Sequence, residues 1–247
     1  MSSQRDDSIP IFILGSQRSG STMLIDIMHL RSDTQSHSEA RNNSAFVNYQ
    51  LRDLEEVKKL IQGSPARFVC FKPIADSHKV FELRDAFPNS YIIWLYRQYE
   101  DVANSRLRKF AAPTRAIKLV CKDLPGGGWF AEGASDSVRQ VLRKLPYASL
   151  SEFDFACLNW WARNQIFVEK LLWQLNNVIL MRYEQLVSDP DKTFTMLSKR
   201  IGLPCDPQSY RFINRHSIGR NPAPQLHPEV KSLCDSLMAE LEKRCTL

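Results

Sequence analysis

The residues with the most evident chemical capacity stand near the beginning of the chain. An apolar run, Ile11-Phe-Ile-Leu14, enters Gly15-Ser-Gln-Arg-Ser-Gly20, and Ser21-Thr22 then open an amphipathic stretch with Leu24, Ile27 and Met28 on one face. A strand that turns through Gly-x-x-x-x-Gly into a helix aims successive backbone N–H groups, and the positive end of the helix dipole, at one point. That point suits an anion. The hydroxyls of Ser21 and Thr22 add donors, and Arg18 adds a cation from inside the loop. A triphosphate-cleaving loop would carry Gly-Lys-Ser/Thr, its lysine on the outer phosphates and its hydroxyl on magnesium. Here Ser21 stands where that lysine belongs. The expected ligand is a 5′-phosphate with a transferable group attached, not a metal-chelated triphosphate. A Gly-x4-Gly turn alone would be an ordinary turn; the strand before it and the helix after it favour the anion.

The elements that must carry this loop follow from the hydrophobic pattern. Ile11–Leu14, Phe68–Phe71, Tyr91–Tyr96 and Val178–Met181 are short runs rich in Ile, Val, Phe and Trp. Strands buried on both faces read this way. Between them, Leu51/Leu54/Val57/Ile61, Val80/Leu83/Phe87 and Leu158/Trp161/Gln165/Val168/Leu172 fall at helical spacing, and Met196–Ile201 and Leu233–Leu241 add two more helices. Alternating strands and helices predict an α/β fold of the P-loop, three-layer type, with a central parallel sheet of about four to five strands flanked by helices. One domain spanning 1–247 is expected, with 1–8 as a flexible N-terminus. Two stretches break the alternation: the polar, aperiodic Ser32–Gln50, and Ala111–Gly133 with its Gly126-Gly-Gly128 run before Trp129 and Phe130. The second reads as a loop, either a mobile cover over a ligand or a plain surface loop.

Composition narrows the function classes. With 247 residues, 43% hydrophobic and 24% charged, the chain is an ordinary globular protein rather than a disordered or fibrous one. The 33 Lys+Arg against 27 Asp+Glu give a net charge of +6, and the basic residues are scattered rather than clustered. An anionic small ligand accounts for such a surplus as well as a nucleic acid does, so no nucleic-acid partner is expected. The longest apolar runs are too short to cross a membrane. The polar opening residues lack the apolar core of a signal peptide, and a soluble, cytoplasmic protein is expected. The six cysteines form no CxxC pair and the five histidines no ligand-like pair, so reduced thiols and no metal are expected.

At this point the sequence resembles a known family. Gly15-Ser-Gln-Arg18-Ser-Gly20-Ser-Thr22 is similar to the 5′-phosphosulfate loop of sulfotransferases that use 3′-phosphoadenosine 5′-phosphosulfate (PAPS). The family's second signature is a strand ending in arginine with a serine eight residues on, and Tyr91-Ile-Ile-Trp-Leu-Tyr-Arg97 with Ser105 resembles it. Arg97 and Ser105 would then grip the 3′-phosphate, where a forked guanidinium suits a dianion. Val178-Ile-Leu-Met-Arg-Tyr183-Glu184-Gln-Leu186 resembles the family's later strand, which implies an adenine contact for Tyr183. The C-terminal Arg-Lys-Gly triplet of the cytosolic members is missing. Its nearest equivalent is Arg215-His-Ser217-Ile-Gly219-Arg220, from which Ser217 and Arg220 are carried over. The cofactor contacts implied are thus Gln17, Arg18, Ser19, Gly20, Ser21, Thr22, Arg97, Ser105, Tyr183, Ser217 and Arg220.

The resemblance also assigns the chemistry. Cytosolic members end their second strand in Lys-Thr-His, the histidine being the base; here Lys72-Pro73-Ile74 keeps the lysine and puts Ile74 at the histidine position. The tyrosylprotein sulfotransferases instead use a glutamate 21 residues after the loop arginine, and counting from Arg18 reaches Glu39, followed by Arg41. Glu39 is therefore expected as general base, Lys72 at the leaving phosphate and Arg18 at the sulfuryl group, with His78 and then His37 in reserve. The expected activity is sulfuryl transfer from PAPS, leaving 3′-phosphoadenosine 5′-phosphate (PAP), to a hydroxyl or amine of a small molecule such as a secondary metabolite. The competing classes are a P-loop nucleotide kinase and a non-catalytic nucleotide-binding module.

Overall fold

A computed structural model describes residues 8–214, 216 and 218–245. Its centre is a five-stranded parallel sheet formed by β1 (Ile9–Gly15), β2 (Thr34–Ser38), β5 (Phe68–Lys72), β6 (Tyr91–Tyr96) and β7 (Val178–Arg182), in the order β2-β5-β1-β6-β7. A separate antiparallel hairpin, β3 (Phe46–Val47) with β4 (Gln50–Leu51), completes the strands. Because side chains alternate across a strand, β1 sends Ile11 and Ile13 to one face and Phe12 and Leu14 to the other. All four are fully buried.

Helices cover both faces, which gives the expected three layers. On one face, Phe12, Val69, Phe71, Ile92 and Trp94 join Phe155, Leu158, Trp160 and Phe167 from the helix Glu152–Glu169. That helix starts at a capping box, in which the Ser151 side chain accepts from the Asp154 N–H and the Asp154 carboxylate accepts from the Ser151 N–H. On the other face, Ile11, Ile13, Phe68, Cys70, Ile93 and Leu95 pack on Leu24, Ile27 and Met28 of the helix Ser21–His29 and on Phe194 and Leu197 of the helix Pro190–Ile201. The six cysteines are free thiols, four of them buried. No helix among the described residues is long and apolar enough to cross a membrane.

Two expectations need correction. The polar stretch Ser32–Gln50 holds the fifth sheet strand, Thr34-Gln-Ser-His-Ser38, and the β3–β4 hairpin. β2 is an edge strand with only Thr34 buried, so it needs no apolar run and carries no hydrophobic signal. The stretch Ala111–Gly133 is not one long loop either. It contains the helices Arg115–Cys121 and Gly128–Glu132, fixed by buried Ile117, Val120, Cys121 and Phe130.

The sheet and the glycine loop meet at Gly15, the last residue of the central strand. Its backbone lies at φ +128°, and a Cβ there would sit 2.2 Å from the Leu95 carbonyl oxygen of the neighbouring strand. A Gly15→Ala variant should lose about 2–4 kcal/mol of folding stability through this clash and the left-handed conformation. Equilibrium urea denaturation checks this; an unchanged midpoint would show that the strand end can shift.

Candidate functional site

Parallel strands end at the same edge of a sheet, and each of the five delivers a candidate residue there. β1 runs into the Gly15–Gly20 loop, β2 into Glu39, β5 ends on Lys72, β6 runs into Arg97 and β7 into Tyr183. This is the edge where open α/β sheets bind ligands.

The glycine loop is held from inside. The Ser77 hydroxyl accepts from the Gly15 N–H at 3.0 Å and lies within hydrogen-bond distance of the Gly15 and Ile74 carbonyls, at 3.1 and 2.9 Å. Ser16 and Ser19 share a buried hydroxyl–hydroxyl bond of 2.7 Å. Arg18 adopts a left-handed φ of 69°, a conformation that costs a side-chain-bearing residue about 1–2 kcal/mol. Its Nε donates to Ser105 Oγ at 3.0 Å, which joins the loop arginine to the helix serine. Gly20, at φ +95°, packs so closely on Tyr183 that a Cβ would lie 2.2 Å from the ring.

A cavity of about 560 Å³ opens above this loop. Arg18, Gly20, Ser21, Thr22, Arg97, Ser105, Tyr183 and Arg220 line it, together with Arg108 and Lys109. The Arg97 guanidinium lies 4.4 Å from the centre of the Tyr183 ring and pairs with Asp101 at 3.2 Å. Asp101 also accepts from the Gly219 N–H, at 3.1 Å, and so ties the C-terminal segment to the site. Burial, Arg97 and Arg108 together push the Arg18 pKa down. The Ser19 side chain is fully buried against Ser16 and does not line this cavity, while Gln17 lines the neighbouring cavity described next. Ser217 lies outside the described residues.

That second cavity, about 400 Å³, shares Arg18, Ser21 and Thr22 with the first and is completed by Gln17, Glu39, Tyr49, Lys72, Ala75, Phe110 and Trp129. Glu39 and Lys72 are paired in it, Lys72 Nζ to Glu39 Oε1 at 3.1 Å, with side-chain exposures of 18% and 5%. Burial raises the Glu39 pKa; Lys72 and a backbone hydrogen bond from Ile74 hold it down, and nearby Asp76 adds to the rise. The net direction is upward, as a general base working near neutrality requires. His78 and His37 line neither cavity. His78 faces Glu132 at 3.8 Å, and burial beside Arg163 pushes its pKa down to about 4. His37 stacks on Phe71 at 4.9 Å.

Several contributors carry no motif. Buried Arg106 donates to the Gln17 side chain at 2.8 Å and to the Pro113 carbonyl at 2.7 Å, both neutral partners, and burial with Arg18 nearby brings its pKa to about 10. Buried Arg163 donates to the Ile74 carbonyl at 2.6 Å, just beyond Lys72, and lies 4.9 Å from the Trp129 ring centre. Asp76 accepts from the Leu51 N–H at 2.7 Å and fastens the hairpin to the turn after β5. None of the three stands in a motif, because each acts through a contact with a distant segment.

By sequence, the family of the sulfotransferase domain matches over residues 8–222. The chain belongs to the sulfotransferase family. Among solved structures, it is similar to the sulfotransferase domain from the curacin biosynthetic pathway, with 18% identity and a TM-score of 0.55 over 95% of this chain and 98% of that one. It is likewise similar to a sulfotransferase from Alicyclobacillus acidocaldarius, with 15% identity and a TM-score of 0.51 over 97% of this chain and 94% of that one. At such identities these likenesses show the fold. No curated protein matches the sequence. This sulfotransferase is thus an enzyme of sulfuryl transfer, in a family whose members generally take the group from PAPS.

Because Lys72 is what holds the raised Glu39 pKa in check, Lys72→Met should move it further upward. Carbon-13 NMR titration of glutamate-labelled protein reads this directly. A downward movement would show that the ammonium does not set the charge on Glu39.

Proposed function

We propose that this sulfotransferase moves the sulfuryl group of PAPS to a hydroxyl or amine of a small-molecule acceptor, a secondary metabolite being the favoured class. One observation carries the reading: a cation-rich cavity and a cavity holding a Glu39–Lys72 pair share a wall made of Arg18, Ser21 and Thr22. The donor belongs in the first cavity. Arg97 and Ser105 would hold its 3′-phosphate, Tyr183 its purine, and the loop with Ser21 and Thr22 its 5′-phosphate. Arg18, Arg97, Arg108 and Lys109 on the lining, against Asp101, fit an anion of that charge. The acceptor belongs in the second cavity.

Transfer is an in-line displacement at sulfur. The acceptor oxygen or nitrogen forms the new bond to sulfur, the bond from sulfur to the bridging phosphate oxygen breaks, and the acceptor proton passes to Glu39. Lys72 donates to the oxygen that takes the leaving charge, and Arg18 faces the sulfuryl oxygens. Preorganised donors of this kind supply most of the barrier reduction in group transfers between fixed reactants. Glu39 starts hydrogen-bonded to Lys72, so a proton arriving on the carboxylate frees the ammonium for the leaving group.

Donor binding and chemistry are separately testable. PAP should raise the thermal midpoint without magnesium, because a ligand specific to the folded state adds to its stability. Arg97→Ala should abolish most of that shift, and a larger shift with ATP–magnesium would reverse the assignment in favour of a kinase.

Glu39→Gln keeps the size but removes the basicity. It should lower kcat by about 10²–10⁴-fold and change the PAP dissociation constant by less than about 3-fold. The kcat–pH profile of the wild type should fall on the acid side with an apparent pKa above the usual ~4.3 of a glutamate, since the carboxyl must be ionised to accept the proton. That limb should vanish in Glu39→Gln. A near-normal Glu39→Gln beside an inactive His78→Ala would move the base to His78.

A further inference from the structure

The β3–β4 hairpin turns through two residues, Asn48 and Tyr49, and both have left-handed backbones, at φ 49° and 66°. Two-residue hairpins favour such turns because their twist matches that of the strands, and Asn-Gly is the usual pair that meets the requirement. Asparagine tolerates the conformation. Tyrosine at the glycine position does not, because its Cβ crowds the following carbonyl.

The strain is imposed from both sides. The Asn48 and Tyr49 N–H groups donate to the Arg41 and Ala40 carbonyls at 2.6 and 3.0 Å, next to Glu39 in sequence. The other strand is fastened by Asp76, which accepts from the Leu51 N–H at 2.7 Å and from the Gln50 side chain at 3.2 Å. Core packing does not account for the tyrosine, whose side chain leaves the residue 53% exposed. What it does is line the second cavity with two other aromatic residues, Phe110 and Trp129, beside Glu39 and Lys72. Trp129 is itself backed by the Arg163 guanidinium at 4.9 Å. A strained conformation that over-determined surroundings enforce, at a residue contributing to a cavity rather than to a core, points to function at that residue.

We propose that Tyr49 determines acceptor specificity, and that the acceptor carries its reacting group on or beside a flat, unsaturated ring. Three aromatic walls favour stacked or edge-on contact with such a ring over a saturated body of similar volume. The inference rests on the second cavity being the acceptor site, and the strain gives it a signature that a merely structural tyrosine lacks. Glycine at this position should help the fold and harm recognition.

The test uses the full chain saturated with PAP, titrated calorimetrically with 2-naphthol and with decahydro-2-naphthol, its saturated counterpart. Wild type should bind 2-naphthol the more tightly. Tyr49→Gly should weaken 2-naphthol about 3–10-fold and leave decahydro-2-naphthol within about 2-fold. The same variant should raise the thermal midpoint by about 2–4 °C, with the PAP dissociation constant unchanged. Tyr49→Phe should restore 2-naphthol affinity. Equal loss of both alcohols, no loss of either, or a lowered midpoint in Tyr49→Gly would overturn the proposal. A wild type that fails to bind PAP would overturn the donor reading, and this inference with it.

Discussion

The constraint on which the site depends is the confinement of several guanidinium groups in one poorly hydrated region. Burial is the largest cost for both Arg18 and Arg106, and repulsion adds to it, from Arg97 and Arg108 on Arg18 and from Arg18 on Arg106. Among the described residues lining the first cavity, Asp101 is the acid, and it is engaged with Arg97. Neutral partners add to the restraint: the Tyr183 ring beneath Arg97, the Ser105 hydroxyl on Arg18, the Gln17 amide and the Pro113 carbonyl on Arg106. Such partners orient a cation without cancelling its charge. Under the proposed assignment, this positive field is what a polyanionic donor would meet.

The second cavity balances charge in the opposite manner. Glu39 and Lys72 neutralise one another, and both are largely withdrawn from water. A carboxyl whose folded pKa is raised binds more protons folded than unfolded, so its contribution to stability diminishes as pH rises through its titration range. For Glu39, whose pKa burial raises, ionisation therefore costs the fold stability, which is the cost the proposed role as a base would carry. Asp76, Ser77 and Arg163 hold the turn after β5 through hydrogen bonds to backbone groups, which fixes the backbone beside Lys72.

How much of this is legible in the sequence depends on what each part is buried against. Four strands announce themselves because they are covered on both faces and had to be apolar. β2 does not, since an edge strand with one buried residue is under no such demand. The helices Arg115–Cys121 and Gly128–Glu132 hide behind their prolines and glycines for a related reason: each is short, and its few buried residues are too sparse to form a period. Arg18, Lys72, Arg97 and Ser105 stand in motifs because a phosphate loop and a strand-end arginine have local geometry. Glu39 is reached only through the resemblance to the tyrosylprotein sulfotransferases, by its spacing from Arg18 and by the Arg41 that follows. Arg106, Arg163 and Tyr49 act through contacts between distant segments or through backbone conformation, and neither leaves a pattern along the chain.

The same difference divides the site by function. The first cavity rests mainly on β1, β6 and β7, whose inward residues are buried on both faces, and Gly15 and Gly20 leave no room for a side chain there. Changes at that end propagate into the core. Beyond the wall it shares with the first, the second cavity rests on the end of the edge strand β2, the turn of the β3–β4 hairpin, the Lys72 end of β5 and the short helix that carries Trp129. Tyr49, Phe110 and Trp129 are not fully buried and can be exchanged without repacking the sheet. Under the proposed assignment, a fold organised this way keeps the donor end fixed by the sheet while the surface that would meet the acceptor stays free to vary.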